Sequence, residues 1–197
     1  MNYKEHAVNK LDNFLLGWYM DDITVCDKFI NYFHNNSTLK GPGRMSNMID
    51  KNAKDSTDCQ ITPSINFDGL TDYYKVLQDL SEKYVGKYNS ALIRKPWGLV
   101  EPFNIQHYSP NGGYHVWHNE RDGSNNHTLF RHLVFMTYLN DVTDQGETEF
   151  YNQKLKIKPE KGLTLIWPVD WTFTHRGVAS PTQEKMITTG WFSFVND

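Results

Sequence analysis

From residue 97 to residue 195 the sequence alternates short runs rich in Val, Ile, Thr, Phe and Trp with turn clusters, and this rhythm restricts the fold more than any other feature. The runs fall at 97–108, 132–140, 155–158, 163–167 and 185–195, and SPNGG, DQG, PEKG and SPTQ lie among them. β-Branched and aromatic residues suit a pleated sheet, while Gly, Pro, Asn and Asp reverse the chain. The spacing predicts an antiparallel sandwich or jelly roll. Upstream the period is helical. Thr24-Val-Cys-Asp27 reads as a capping-box start, and Cys26, Phe29, Ile30 and Phe33 share one face of a helix that Asn35-Asn36 ends. Tyr73, Leu77, Leu80, Tyr84 and Tyr88 mark a second helix running to Asn89-Ser90. Between them, residues 39–63 are rich in Gly, Pro, Ser, Asp and Lys, so a long surface loop is expected there. Helices first and strands afterwards make the class α+β, mostly β, with the N-terminal helices packed on one sheet.

At 197 residues the chain suits one domain, with helical support over 1–95 and the sheet over 96–197. A net charge of −3 without basic runs gives no pull toward nucleic acid or an anionic membrane. Cys26 and Cys59, with no CxxC, indicate neither a disulfide framework nor a thiolate zinc site. Any metal must therefore rely on His and carboxylates. With no signal-peptide pattern at the N-terminus and no long apolar run, a cytoplasmic protein is expected.

One stretch, YHVWHNERDG at 114–123, concentrates such groups. In an extended segment residues two apart project to the same side, so His118 and Glu120 can reach one ion. His175, in FTHRGV, is the best third ligand. In a jelly roll distant strands face each other across the mouth, which would bring 118 and 175 together. Two neutral imidazoles and a carboxylate on one face leave positions open, as in non-haem Fe(II) oxygenases. His115 should point away from His118, and Asp122 is an alternative to Glu120. His107, His127 and His132 read as structural residues. No HExxH of a zinc hydrolase occurs.

The order of motifs around this pair carries more information than the pair itself. Tyr108-Ser-Pro-Asn-Gly-Gly-Tyr114 precedes His118, and Arg131 and Tyr138-Leu-Asn-Asp141 follow. Then come Gly146-Glu-Thr148-Glu-Phe150, Pro159-Glu-Lys-Gly162, His175-Arg-Gly177, Lys185 and Trp191. From about residue 96 to 195 the chain resembles the prolyl 4-hydroxylase family of Fe(II)/2-oxoglutarate dioxygenases. The resemblance implies a double-stranded β-helix (jelly roll) with His118, Glu120 and His175 as iron ligands and catalytic centre, Glu120 standing where the family usually has Asp. It also implies 2-oxoglutarate held by Lys185, Tyr108, Tyr138 and Thr148, and a proline-containing peptide or protein touched by Glu101, Arg131 and Trp191. Fe(II), 2-oxoglutarate, O2 and, as an accessory reductant, ascorbate are the implied cofactors. The implied reaction hydroxylates the substrate while 2-oxoglutarate is decarboxylated to succinate. Two other readings stay open: the same chemistry on another residue or a small molecule, and a non-catalytic metal- or sugar-binding jelly roll.

Overall fold

The structure, a computed structural model, describes residues 3–8, 13–45, 48–92, 95–123, 125–126 and 128–195. His127 lies outside the described residues. The elements follow one another as β1 (Lys4–His6), β2 (Leu16–Tyr19), α1 (Thr24–Asn35), β3 (Lys40–Pro42), β4 (Thr57–Ile61), α2 (Leu70–Lys87), β5 (Trp97–Gly98), β6 (Phe103–Tyr108), β7 (Tyr114–His118), β8 (Arg131–Tyr138), β9 (Thr148–Phe150), β10 (Leu155–Ile157), β11 (Leu163–Pro168), β12 (His175–Gly177) and β13 (Lys185–Phe194). The larger sheet runs β1-β2-β11-β8-β13-β6-β4-β3, with β5 also on β13, and the smaller runs β10-β9-β12-β7. Every pairing is antiparallel.

Alternation along β13 sets the layers. Met186 and Phe192 belong to a core shared with Phe103, Ile105, Leu133, Phe135 and Ile166 of the same sheet and with residues of both helices. Lys185, Ile187, Thr189 and Trp191 point the other way, because successive strand residues alternate sides. There Ile187 packs with Tyr108, Val134, Met136, Leu165 and Trp167, and with Phe150 and Ile157 of the smaller sheet. One face of the large sheet thus carries the helices, and the other meets the small sheet. Gly190 belongs to the helix-side parity, where a Cβ would lie 2.4 Å from Phe103 Cβ and 2.6 Å from Phe135 Cζ.

The helices follow their apolar stripes. In α2, Tyr73, Val76, Leu77, Leu80 and Tyr84 are buried, each Val or Leu contributing roughly 1.5–3 kcal/mol by leaving water. Tyr73 is fixed further by its hydroxyl, 2.9 Å from Thr137 Oγ1 of β8, which in turn lies 2.7 Å from Thr164 Oγ1 of β11. The start of α1 differs from expectation. Thr24 is its first residue and caps nothing; the Asp22 carboxylate instead accepts from Thr24 N at 3.0 Å and from Thr24 Oγ1 at 2.6 Å.

Residues 39–63 are not one long loop. β3 and β4 arise there, and β4 extends the large sheet through pairs such as Asp58 with Gln106 and Gln60 with Asn104. Tertiary pairing with β6 overrides the local turn composition. The first 95 residues likewise hold β1 to β4 as well as the helices, so helical support alone does not describe them. The intervening segment is pinned to β7 and its approach by Asp55 N donating to Gly113 O (2.9 Å) and His115 N donating to Ala53 O (2.8 Å). Among the described residues no helix is long and apolar enough to cross a membrane.

Candidate active site

His118 closes β7 and His175 opens β12, and the two are direct cross-strand partners in the small sheet. They are neighbours in one sheet and do not face each other across a barrel mouth, as the sequence suggested. Their ring centroids lie 4.3 Å apart. The bend after β7 returns Glu120 to the same point, where its main-chain N donates to Val169 O at 3.1 Å. Arg121 staples the two segments that carry the cluster together, its Nε and Nη2 donating to Asp170 Oδ1 at 2.9 and 2.6 Å. One donor atom from each of His118, Glu120 and His175 lies within 4.8 Å of the others.

The protons of this cluster are turned away from its centre. His118 Nδ1 lies 3.1 Å from Val116 O, and His175 Nδ1 lies 2.9 Å from Phe173 O. A carbonyl only accepts, so each Nδ1 carries the hydrogen and each neutral ring presents a bare Nε2. These face Glu120 Oε1 at 3.5 and 3.4 Å. Three acceptors crowd one point, an arrangement that a cation relieves. Burial, followed by repulsion from His175, pushes the His118 pKa down and keeps that ring neutral. Burial opposes the charge on Glu120; protons on the two imidazoles would hold the carboxyl well below its ordinary range, and between bare Nε2 atoms a cation would take over that role. Nitrogen–nitrogen–carboxylate donor sets of this kind suit Fe(II).

The second carboxylate oxygen looks elsewhere. Glu120 Oε2 accepts from Trp191 Nε1 at 3.0 Å and lies 3.6 Å from Arg131 Nη1. Arg131 also donates to Glu120 O at 3.1 Å and to Glu101 Oε2 at 3.2 Å, and its Cζ sits 3.3 Å above the Trp191 ring. Of the three residues expected at a peptide, Trp191 and Arg131 therefore engage the cluster's own carboxylate, and Glu101 engages Arg131.

A cleft of about 890 Å³ joins this cluster to Lys185. Lys185 is 3% exposed, and its ammonium donates to Gly146 O at 2.9 Å and Val178 O at 2.8 Å with no carboxylate in bonding contact. Burial lowers its pKa to about 8. An ammonium has three protons, and the remaining one suits an anion entering the cleft. The Tyr108 ring lies 5.1 Å from Nζ, and its hydroxyl donates to Gln106 Oε1 at 2.7 Å. Thr148 lines the cleft, whereas Tyr138 stands behind it: Tyr138 Oη donates to Thr148 Oγ1 at 2.6 Å. Burial pushes both phenols above their ordinary pKa, so both stay neutral donors.

Sequence reasoning missed several lining residues. Tyr114 stacks on His118 with centroids 3.6 Å apart and planes at 9°, an i, i+4 relation whose same-side meaning on a strand was legible but unused. Trp167, buried at 1% exposure, meets His175 edge-on at 5.2 Å. Gln60 and Asn104 form one wall through the β4–β6 pairing, which the sequence did not reveal. The alternatives stay outside the cluster: neither His115 nor Asp122 joins it, while His107 and His132 engage Glu184 and the Ala91 carbonyl at 2.8 and 2.9 Å.

Residues 103–193 match the 2OG-Fe(II) oxygenase superfamily, a span containing all three residues of the cluster and Lys185. Over that span the chain carries an Fe(II)/2-oxoglutarate-dependent dioxygenase domain. Enzymes of that superfamily use Fe(II), 2-oxoglutarate and O2, which the donor set and the buried ammonium fit. No curated protein sequence matches the dioxygenase significantly. Its fold is that of prolyl hydroxylases. The viral collagen prolyl hydroxylase of Paramecium Bursaria Chlorella virus-1, in a 2OG complex, superposes with TM-score 0.68 at 19% identity over 93% of this chain and 97% of its own. A Pseudomonas putida prolyl-4-hydroxylase gives 0.70 at 14% over 93% and 94%. A Trichoplax adhaerens prolyl hydroxylase, in complex with a hypoxia inducible factor oxygen degradation domain peptide fragment, gives 0.69 at 14% over 92% and 84%.

Proposed function

We propose that this dioxygenase hydroxylates proline in a peptide or protein, using one domain that spans the chain and a double-stranded β-helix with the helices supporting the large sheet. His118, Glu120 and His175 hold Fe(II). The observation that carries the reading is the convergence of two bare Nε2 atoms and Glu120 Oε1 on one point while both Nδ1 protons are tied to backbone carbonyls. Lys185 takes the far carboxylate of 2-oxoglutarate, with Thr148 beside it, Tyr138 orienting Thr148, and Tyr108 covering the ammonium. When bound there, Fe(II) and 2-oxoglutarate would supply O2-dependent oxidation, in which one oxygen atom goes to the substrate as hydroxyl and the other to succinate, with CO2 as coproduct.

Three features favour a peptide substrate. The cleft extends past the metal cluster along the β4–β6 wall. Gln60 and Asn104 present side-chain amides there, each able to donate and accept as a peptide backbone unit does. The neighbours of like fold are prolyl hydroxylases, one of them bound to a peptide.

The test is incubation with Fe(II), 2-oxoglutarate and O2 against proline-containing peptides, free amino acids and small molecules, reading succinate and mass gain. The expected result is one added oxygen on proline in a peptide, lost in His175→Ala. Oxygen on a free amino acid or small molecule would transfer the same chemistry to another substrate. Absence of succinate under every condition would mark a non-catalytic metal-binding protein.

A further inference from the structure

We propose that Trp191 and Arg131, with Glu101 acting through Arg131, are positioning residues for the Glu120 carboxylate, fixing which of its oxygens faces the metal. The inference rests on the Fe(II) reading of the cluster. Glu120 carries its carboxylate on a flexible two-methylene arm. Unrestrained, such an arm can turn either oxygen, or both, toward an ion. In this chain the choice is made by two donors on the far side of the carboxylate, Trp191 Nε1 and Arg131 Nη1. Trp191 Nε1 is a donor only, and it spends its single hydrogen on Glu120 Oε2 at 3.0 Å. That leaves Oε1 on the side of the imidazoles, 3.5 Å from His118 Nε2 and 3.4 Å from His175 Nε2.

Arg131 locks the indole and the carboxylate together. Its guanidinium lies 3.3 Å above the Trp191 ring, so the indole cannot rotate without losing a stacked cation. From the same plane Nη1 holds Glu120 at both its main-chain oxygen, 3.1 Å away, and Oε2, 3.6 Å away. Nε and Nη2 are anchored on Glu101 Oε2 at 3.2 Å each. Glu101 is fixed in turn because Ser193 Oγ donates to its other oxygen. Arg131, Glu120 and Glu101 side chains are only 14, 15 and 18% exposed, so water competes weakly for these bonds. A substrate seeking the polar atom of Trp191 would have to displace a ligand of the metal. The route from Ser193 through Glu101, Arg131 and Trp191 to Glu120 crosses β13, the approach to β6, and β8, tying the metal end of the cleft to the large sheet.

The test is an anaerobic titration of the full chain with Fe(II), and with Mn(II) as a second probe, without 2-oxoglutarate or peptide. Trp191→Phe keeps the ring under Arg131 and removes only the N–H; circular dichroism checks that the fold survives. Loss of such an outer partner weakens metal binding by about 10–100-fold, and Trp191→Phe is expected in that range. Glu101→Gln should give a smaller loss in the same direction, since Arg131 keeps its stack but loses its charged anchor. Arg131→Lys should not restore affinity, because a point-like ammonium cannot stack and bridge at once. With metal saturating, the peptide KM of Trp191→Phe should match wild type. An unchanged metal affinity in Trp191→Phe with a raised peptide KM would overturn the inference and make these residues substrate contacts. Wild-type protein that binds neither ion would overturn the Fe(II) reading itself, a failure distinguishable from that one.

Discussion

The two faces of β13 have the same backbone and opposite duties. Toward the helices, Met186 and Phe192 pack with Phe103, Phe135 and both helices, an apolar layer in which the hydroxyls of Tyr73, Thr137 and Thr164 pair with one another. Toward the small sheet, Lys185 and Trp191 alternate with Ile187 and Thr189 and line the cleft. A buried ammonium and a ring of converging acceptors destabilise the empty protein, since buried charge without a counter-ion is costly. The helix-side layer offsets that cost. Stability and chemistry are thus divided by strand parity, one residue apart.

The largest effect should come from the cleft side. His118→Ala or His175→Ala removes a ligand outright, so Fe(II) affinity should fall by more than the roughly 100-fold seen for outer partners, with far-UV circular dichroism unchanged and succinate release lost. On the opposite face Phe135→Ala should cost about 3–5 kcal/mol and lower the melting temperature by on the order of 10 °C. Turnover of the protein that remains folded should match wild type at a temperature well below melting. Should that variant lose specific activity as well as stability, the division by parity fails.

Lys185 sharpens the comparison because it touches both duties. Lys185→Met should weaken 2-oxoglutarate binding by about 2–5 kcal/mol, roughly 30-fold or more, measured by isothermal titration. The unliganded fold should be no less stable. In wild type, burial sets the Lys185 pKa at about 8, against an ordinary 10.5. 2-Oxoglutarate affinity should therefore decline as pH rises through 8. Stability of the unliganded protein moves the other way on this account. Between pH 8 and 10.5 the unfolded chain binds the proton that the folded chain has released, so Lys185 contributes rising stability across that window. A flat affinity profile from pH 7 to 9 would remove Lys185 from the anion's end of the cleft. The smallest effect is expected from Tyr73→Phe, about 1 kcal/mol and a few degrees of melting temperature, with no change in turnover.

Much of this division was legible in the sequence where the signal is local. The stripes of α1 and α2 and the runs that became β6, β8, β10, β11 and β13 follow from residue type and period; spacing paired His118 with Glu120, and the resemblance to a known family brought Lys185 to the same site. What escaped was decided by distant partners. β4 reads as a turn-rich segment until β6 pairs with it, and β9 and β12 are three residues long, too short for a period to show. The bonds from Thr24 to the Asp22 carboxylate were missed because Thr24 matched a capping motif whose geometry the chain does not use. The hydrogen bond from Trp191 to Glu120 spans 71 positions in sequence, and no local rule aims an indole N–H.

The convergence of His118, Glu120 and His175 is the claim on which the rest stands. Anaerobic addition of Fe(II) and 2-oxoglutarate, followed by visible spectroscopy of the chelate charge-transfer band, tests it in one experiment. One equivalent of iron should saturate the band in wild type, and His175→Ala should show none at the same concentrations. A band of equal strength in His175→Ala, or none in wild type, would contradict the account.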